Sequence, residues 1–562
     1  MDRDGPALRA RLGPALLIGV PLAFFALFFV YPVASIVSLG LAPAGRPDLS
    51  VVGDVLADPG ILGVAWFTLW QAAVSTALTL LVGLPGAYLF ARFSFPGKSL
   101  LRATVTLPFV LPTVVVGAAF LALLGPRSPV NALLMTLLGT DEPVLRLQHT
   151  LWAILLAHVF FNYAVVVRLV GGLWAHLDPR VEEAARTLGA SPWQAFRQVT
   201  LPLLRPAIAS AGAIVFLFTF TSFGVILILG GPSFATLEVE IYRQTAQLLD
   251  LRVASVLTLV QMGAVAALLF AYGRVQEQRT VGLRLRPVAE VARRPRGGAE
   301  WSFVLGNLAL IAVLLWLPLL VLVERSLAGS EGYGLRSFEA LFGAPRGGTL
   351  FVTPVEAIRN SLLFGILATA IALPIGLLAS SVLAYRRDRV GRAFDGLLML
   401  PLGTSAVTIG FGFLVALDEP PLDLRTSVLL IPIAHALVGI PFVVRAISPV
   451  MRAIDRRLRE AAAVLGASPA RAWREVDLRI VSRAALVGAG FAFAVSLGEF
   501  GATAFIVRPD APTLPVAIFR LLGQPGASNF GMAMAMSVVL MAVTAGATLL
   551  TERVRVGDVG EF

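Results

Sequence analysis

Apolar runs of about 20 residues or more recur along the whole chain, the first from about 12 to 39 and the last near 528 to 550. A run of that length spans the hydrocarbon of a bilayer as a helix, the form in which one segment satisfies all its own backbone hydrogen bonds away from water. The other runs lie at about 60 to 91, 99 to 124, 149 to 173, 205 to 229 and 250 to 273, then 301 to 325, 357 to 385, 393 to 416, 427 to 447 and 481 to 505. The expected fold class is therefore an all-α integral membrane protein of about 12 transmembrane helices. Composition agrees, since 57% of the 562 residues are hydrophobic and 14% charged, too apolar a balance for a soluble chain.

The net charge of +11 invites a nucleic-acid reading. The Lys and Arg instead concentrate between alternate runs, as in Arg92, Lys98 and Arg102, which is how cytoplasmic loops are marked. We expect a lipid environment, no nucleic-acid partner, and both termini inside. The first run follows Arg3, Arg9 and Arg11; it is too long for a signal peptide and lacks a small-residue cleavage site, so a retained helix is expected. Cysteine is absent, which removes disulfides and thiolate chemistry.

Two polar stretches interrupt this pattern and are one motif written twice. EEAARTLGASPWQAFRQVTLPLLRP begins at Glu182 and REAAAVLGASPARAWREVDLRIVSR at Arg459, with Glu183 and Glu460, Gly189 and Gly466, and Ser191 and Ser468 each 277 residues apart. Each reads as two short helices joined at glycine. Asp178 or Asp455 caps the first, and Ser191-Pro192 or Ser468-Pro469 starts the second. Phe196 with Val199, and Trp473 with Val476, are expected to form an exposed apolar stripe for a partner protein. The same offset relates His158 to His435, whereas Pro108 and Pro401 lie 293 apart, so the first half carries 16 extra residues, placed at about 125 to 148. The organisation expected is a first repeat over 1–273, an Arg-rich cytoplasmic linker over 274–300 and a second repeat over 301–562. Parallel repeats of six helices imply a pseudo-two-fold axis along the membrane normal and a pathway between the halves.

The spacing Glu183-Ala184-Ala185, Gly189, Val199, Leu201-Pro202 resembles the EAA motif of permease subunits of binding-protein-dependent ABC importers. The second copy keeps Glu460-Ala461-Ala462 and Gly466 but has Arg479 in place of the proline. The resemblance implies a type I ABC importer permease fold in the cell membrane. It implies that Glu183, Ala184, Ala185, Gly189 and Phe196, with Glu460, Ala461, Ala462, Gly466 and Trp473, couple to an ABC ATPase homodimer on the cytoplasmic side. It also implies an extracytoplasmic substrate-binding protein. LLAHVFFN at 155–162, SFGVILILGGPSFATLEVEIYRQ at 222–244 and TLPVAIFRLLG at 513–523 are similar to fused permeases of the thiamine and ferric-iron importers. The alternative is an ion-coupled secondary transporter with parallel repeats, for which one intramembrane acid is few.

No catalytic set, metal cluster or cofactor motif is read. Pro96-Gly97-Lys98-Ser99 contains GKS, but Arg92 stands where a phosphate-binding loop needs its first glycine and no strand precedes it. ATP hydrolysis is thus expected from a separate subunit. His158 and His435 read as packing residues. Glu499, the one carboxylate read inside an apolar span, costs about 3 kcal/mol to insert and is expected to pair or to line a pathway. Its counterpart is Ser222; Thr221 and Ser496 join them as pathway or gate candidates, and the nearby Gly224, Gly498 and Gly501 suggest that these spans open there.

Overall fold

The computed structural model describes residues 17–277, 291–329, 332–343, 350–386, 388–418 and 422–555. Arg3, Arg9, Arg11, Arg284 and Arg286, part of the charge reading, lie outside them. In chain order the principal helices are Leu17–Leu41 (α1), Pro59–Arg92 (α2), Lys98–Val110 (α3), Thr113–Leu124 (α4), Pro129–Leu138 (α5), Leu151–His176 (α6), Pro179–Thr187 (α7), Pro192–Phe220 (α8), Gly224–Leu229 (α9), Leu237–Ala246 (α10) and Leu251–Glu277 (α11). Then come Gly297–Leu327 (α12), Pro354–Tyr385 (α13), Arg389–Gly403 (α14), Ala406–Ala416 (α15), Leu430–Ala453 (α16), Arg456–Val464 (α17), Pro469–Gly498 (α18), Thr503–Ile506 (α19), Leu514–Leu522 (α20) and Ala527–Arg555 (α21). Among the described residues 11 helical segments are long and apolar enough to cross a membrane, α4 and α5 counting together as Thr113–Leu138, or 12 with α14 and α15 taken as one bent span. A two-residue antiparallel pairing, Ala328 opposite Tyr333, is the one sheet among the described residues.

Two of the long helices begin where polar side chains satisfy their first N–H groups. Asp58 accepts from Gly60 N and Ile61 N ahead of α2, and Thr353 and Glu356 exchange hydrogen bonds at the start of α13. The expected spans at 99 to 124 and 393 to 416 are each broken rather than continuous. In the first, Leu111 turns extended before Pro112, as a residue preceding proline must tend to do. In the second, Ser405 leaves the helix to accept from Val407 N, and α14 and α15 meet at 96°. The segments expected at 205 to 229 and 481 to 505 break after Phe220 and Gly498, next to the polar residues singled out above.

Two compact units result. One comprises Gly53–Glu240 and Val260–Gly334, so that α12 packs on α4 within it; its core includes Ala87, Val166, Trp174, Leu204 and Val215. The other comprises Met1–Val52, Ile241–Leu259 and Leu335–Phe562; there α1 packs on α15, and Phe25 and Phe29 share a core with Phe364, Phe413 and Val443.

Each unit is built on one close helix crossing. A Cβ added at Gly83 of α2 would lie 2.8 Å from Val166 Cβ of α6, and one at Gly376 of α13 would lie 2.5 Å from Val443 Cγ1 of α16. Three residues on from Gly83, Gly86 leaves room for the Tyr163 hydroxyl, 2.0 Å from where a Cβ would stand. Between helices in lipid, contact of this kind supplies association that the hydrophobic effect does not. Gly83→Ala and Gly376→Ala should each destabilise the purified protein by about 1–3 kcal/mol through overpacking against a stiff β-branched side chain. Gly172→Ala, with nothing within 4 Å, is the control. Melting temperatures in detergent that do not separate the two classes would remove the crossings from their central place.

Candidate functional site

The two repeated polar segments fold alike. Asp178 accepts from Arg180 N and Asp455 from Arg457 N, opening α7 and α17. Gly189 and Gly466 turn the chain at φ +93° and +83°, a region favouring glycine. Ser191 then accepts from Gln194 N while Gln194 Oε1 accepts from Ser191 N, and Ser468 accepts from Arg471 N. A single π turn follows in each copy, at Phe196–Thr200 and Trp473–Asp477, before the membrane helix resumes. A cross-tie closes each segment with different chemistry at equivalent positions. Thr200 Oγ1 donates to Glu182 at 3.0 Å, whereas Arg459 Nε donates to the buried Asp477 at 2.7 Å.

The apolar stripe lies elsewhere than expected. Phe196 is half-buried, stacked between Trp174 and Trp193 at 6.1 and 5.6 Å, and Val199, Trp473 and Val476 are half-buried too. Phe196 is thereby packed onto Trp174 at the end of the preceding span. The exposed large apolar residues are Val181, Leu188 and Trp193 in one copy, and Leu458, Val464, Leu465 and Ile480 in the other. Leu188 and Leu465, which occupy the same place beside the turning glycine, are 89% and 87% exposed. Glu183 and Ala184, with Glu460 and Ala461, are exposed around them, and Ala185 and Ala462 are half-buried.

The second constellation sits at the breaks after α8 and α18. In the Gly53–Glu240 unit, His158 on α6 joins Ser75 through Nδ1 at 2.9 Å and Ser222 through Nε2 at 3.0 Å. In the other unit, His435 on α16 joins Ser496 through Nδ1 at 2.7 Å, Thr503 Oγ1 through Nε2 at 2.8 Å and Glu499 at 3.3 Å. The histidines are thus partners of the very positions singled out as pathway candidates, a link that their common spacing of 64 residues could have suggested. Glu499 is buried and accepts from Ala502 N at 2.8 Å, Thr503 N at 3.0 Å and Thr503 Oγ1 at 2.6 Å. It therefore caps α19 as well as meeting His435, and Gly410 of α15 lets that helix reach the Ala502 backbone. Thr221 Oγ1 donates to Leu217 O, closing the end of α8. Sequence reasoning missed Ser75 and Thr503, each apolar-span hydroxyls without a distinguishing pattern. It also missed Glu238, a second buried carboxylate, which accepts from Gln261 of α11. Lys98 of the GKS tripeptide donates to Phe93 O at 2.7 Å.

A family model described as "Binding-protein-dependent transport system inner membrane component" matches residues 83–281 and 372–556, together more than half of the chain. The probable ABC transporter permease protein y4fN of Sinorhizobium fredii is 25% identical over 550 residues, 95% of each chain. The thiamine transport system permease protein ThiP of Salmonella typhimurium is 27% identical, over 89% of this chain and 90% of its own. The sulfate transport system permease protein CysT of Escherichia coli is 31% identical over 275 residues, 48% of this chain and 96% of its own.

Glu499 offers two acceptor oxygens to a ring of donors, and glutamine would turn one of them into a donor. Glu499→Gln should cost about 1–3 kcal/mol by leaving buried N–H or O–H groups facing an amide. Ser222→Ala, which removes one hydroxyl, should cost less. Equal melting temperatures for wild type and Glu499→Gln in detergent would show that the carboxylate does not hold the break.

Proposed function

The chain belongs to the binding-protein-dependent transport system inner membrane component family, and on that premise we propose that it is the fused permease subunit of an ATP-driven importer of thiamine, thiamine pyrophosphate or ferric iron. It is a multi-pass membrane protein of an ABC permease family. The observation that carries the reading is the pair of capped polar segments, 277 residues apart, each turning on a left-handed glycine and presenting an exposed leucine beside it. These are proposed as EAA-type coupling helices, with Glu183, Ala184, Ala185, Gly189 and Phe196, and Glu460, Ala461, Ala462, Gly466 and Trp473, as their framework. Leu188 and Leu465 are added as the side chains that enter an ATPase groove. Phe196 and Trp473 act from beneath, by stiffening the segment.

In this reading a separate ATPase homodimer hydrolyses ATP inside, a binding protein delivers substrate outside, and both termini are cytoplasmic. The repeats run over 1–273 and 301–562 with the linker over 274–300. Ser222, Glu499, Thr221 and Ser496 form the pathway or gate elements, acting through the helix breaks they hold. Thiamine has the support of a full-length relative's name, and ferric iron rests on sequence resemblance. Purified permease–ATPase complex should hydrolyse ATP faster with loaded thiamine-binding protein than with loaded iron-binding protein; the reverse order would reassign the substrate.

Gly189→Arg combined with Gly466→Arg places a charged L-residue at two positive-φ turns. The protein should insert normally but lose most substrate-stimulated ATP hydrolysis. A normal rate would mean that these segments are not the couplers. In the cysteine-free background, cysteines at the exposed Ser191 and Ser468 should react only from inside and one at Ser233 only from outside. Labelling from the opposite sides would overturn the orientation.

A further inference from the structure

Arg293, Arg294 and Arg296, between the repeats, are exposed, as charges that only set topology should be. Arg293 is nevertheless fastened through its backbone and its side chain. Its N–H donates to Arg92 O at 3.0 Å and its carbonyl accepts from Ser94 N at 2.9 Å, so the chain pairs in parallel with the residues that end α2. Its guanidinium donates to both oxygens of Glu300, at 2.7 and 2.5 Å, and lies 5.4 Å from the centre of the Phe93 ring. Glu300 also accepts from Arg296 N, at the start of α12. A chain that merely connected two repeats needs none of these bonds.

From this docking point two routes lead to the first polar segment. The buried Arg92 side chain donates from Nη1 to Leu177 O at 3.2 Å, one residue before the Asp178 cap that opens α7. Arg293 thus grips the backbone of the residue whose side chain holds the entry to that segment. The second route is aromatic. Phe303 of α12 meets Phe93 at 6.1 Å and Tyr88 at 5.6 Å, Tyr88 meets Trp174 at 5.1 Å, and Trp174 stacks on Phe196 at 6.1 Å. All these groups belong to the same compact unit. At the places of Tyr88, Arg92 and Trp174 the second repeat has Ser381, Tyr385 and Met451, so its sequence repeats neither route.

We propose that 291–303, from the end of the linker into the first turns of α12, is a strut that sets the position of the first polar segment, with Arg293 and Phe303 as positioning residues. The two halves then meet the ATPase on segments supported by different means, and only the first depends on the linker. That functional part rests on the reading of the segments as couplers. Removing the Arg293 guanidinium releases Glu300 and Phe93 together and frees the backbone pairing that steadies Arg92. Removing the Phe303 ring takes away the outer end of the aromatic route.

The protein has no cysteine, so single cysteines at Leu188 and Leu465, exposed and equivalent in the two copies, can carry nitroxide labels in the full-length permease. Arg293→Ala combined with Phe303→Ala should raise label mobility at Leu188 several-fold and leave it unchanged at Leu465. Titrated with its ATPase subunit, the same variant should need several-fold more subunit for half-maximal ATP hydrolysis and reach the wild-type rate at saturation. Unchanged mobility at Leu188 would overturn the strut, and so would an equal rise at both positions, which is general loosening. A rise at Leu188 alone with a wild-type titration would uphold the strut and count against the coupler reading instead. Circular dichroism checks the fold of the double variant; if it is lost, each single substitution gives the same comparison at smaller amplitude.

Discussion

A bilayer gives a broken helix nothing to bond with, so wherever this chain interrupts a span the protein must supply partners for the freed backbone groups. Four interruptions meet this demand in different ways. Pro112 has no N–H to satisfy, and Ser405 turns its hydroxyl onto Val407 N. After α8 the Thr236 hydroxyl donates to the freed Ser222 O. After α18 the demand is met by a carboxylate, since Glu499 takes both Ala502 N and Thr503 N. A charge in that position is tolerable because its acceptor capacity is filled by donors that would otherwise be unpaired.

Those breaks are stable only against rigid neighbours, and the small-residue crossings provide them. Gly83 against Val166 and Gly376 against Val443 bring α2 onto α6 and α13 onto α16 closely enough for side chains of one helix to serve the next. His158 reaches Ser75 and Ser222 from α6, and His435 reaches Ser496 and Thr503 from α16. The histidines are structural in the sense that their ring nitrogens tie separate elements together, and the elements they tie are the broken spans.

The repeats also show how one backbone plan tolerates exchanged chemistry. The tie between the two helices of each polar segment is a hydroxyl–carboxylate hydrogen bond in one copy and an arginine–aspartate pair in the other. In the first copy the segment is further backed by Trp174 and Phe196, with Trp174 in turn against Tyr88. At the places of Tyr88 and Trp174 the second copy has Ser381 and Met451, in contact with each other. The two segments therefore share a turn geometry but differ in how they are supported.

The sequence by itself determined the class of fold, because apolar length and basic alternation are set by the thickness of the bilayer and by charge on one side of it. It determined the caps and turns of the repeated segments as well, since Asp178, Gly189 and Ser191 act on atoms within four residues of themselves. The tertiary structure alone decided which apolar residues of those segments stay exposed: Phe196 is withdrawn by Trp174, 22 positions away, leaving Leu188 at the surface. It alone decided that Glu499 is held by His435 as well as by Thr503, that Glu238 is buried against Gln261, and that α1 packs on α15. These outcomes depend on which helix face meets which partner. Nearly every residue in a span is apolar, so periodicity leaves that choice open and only close packing at a few glycines resolves it.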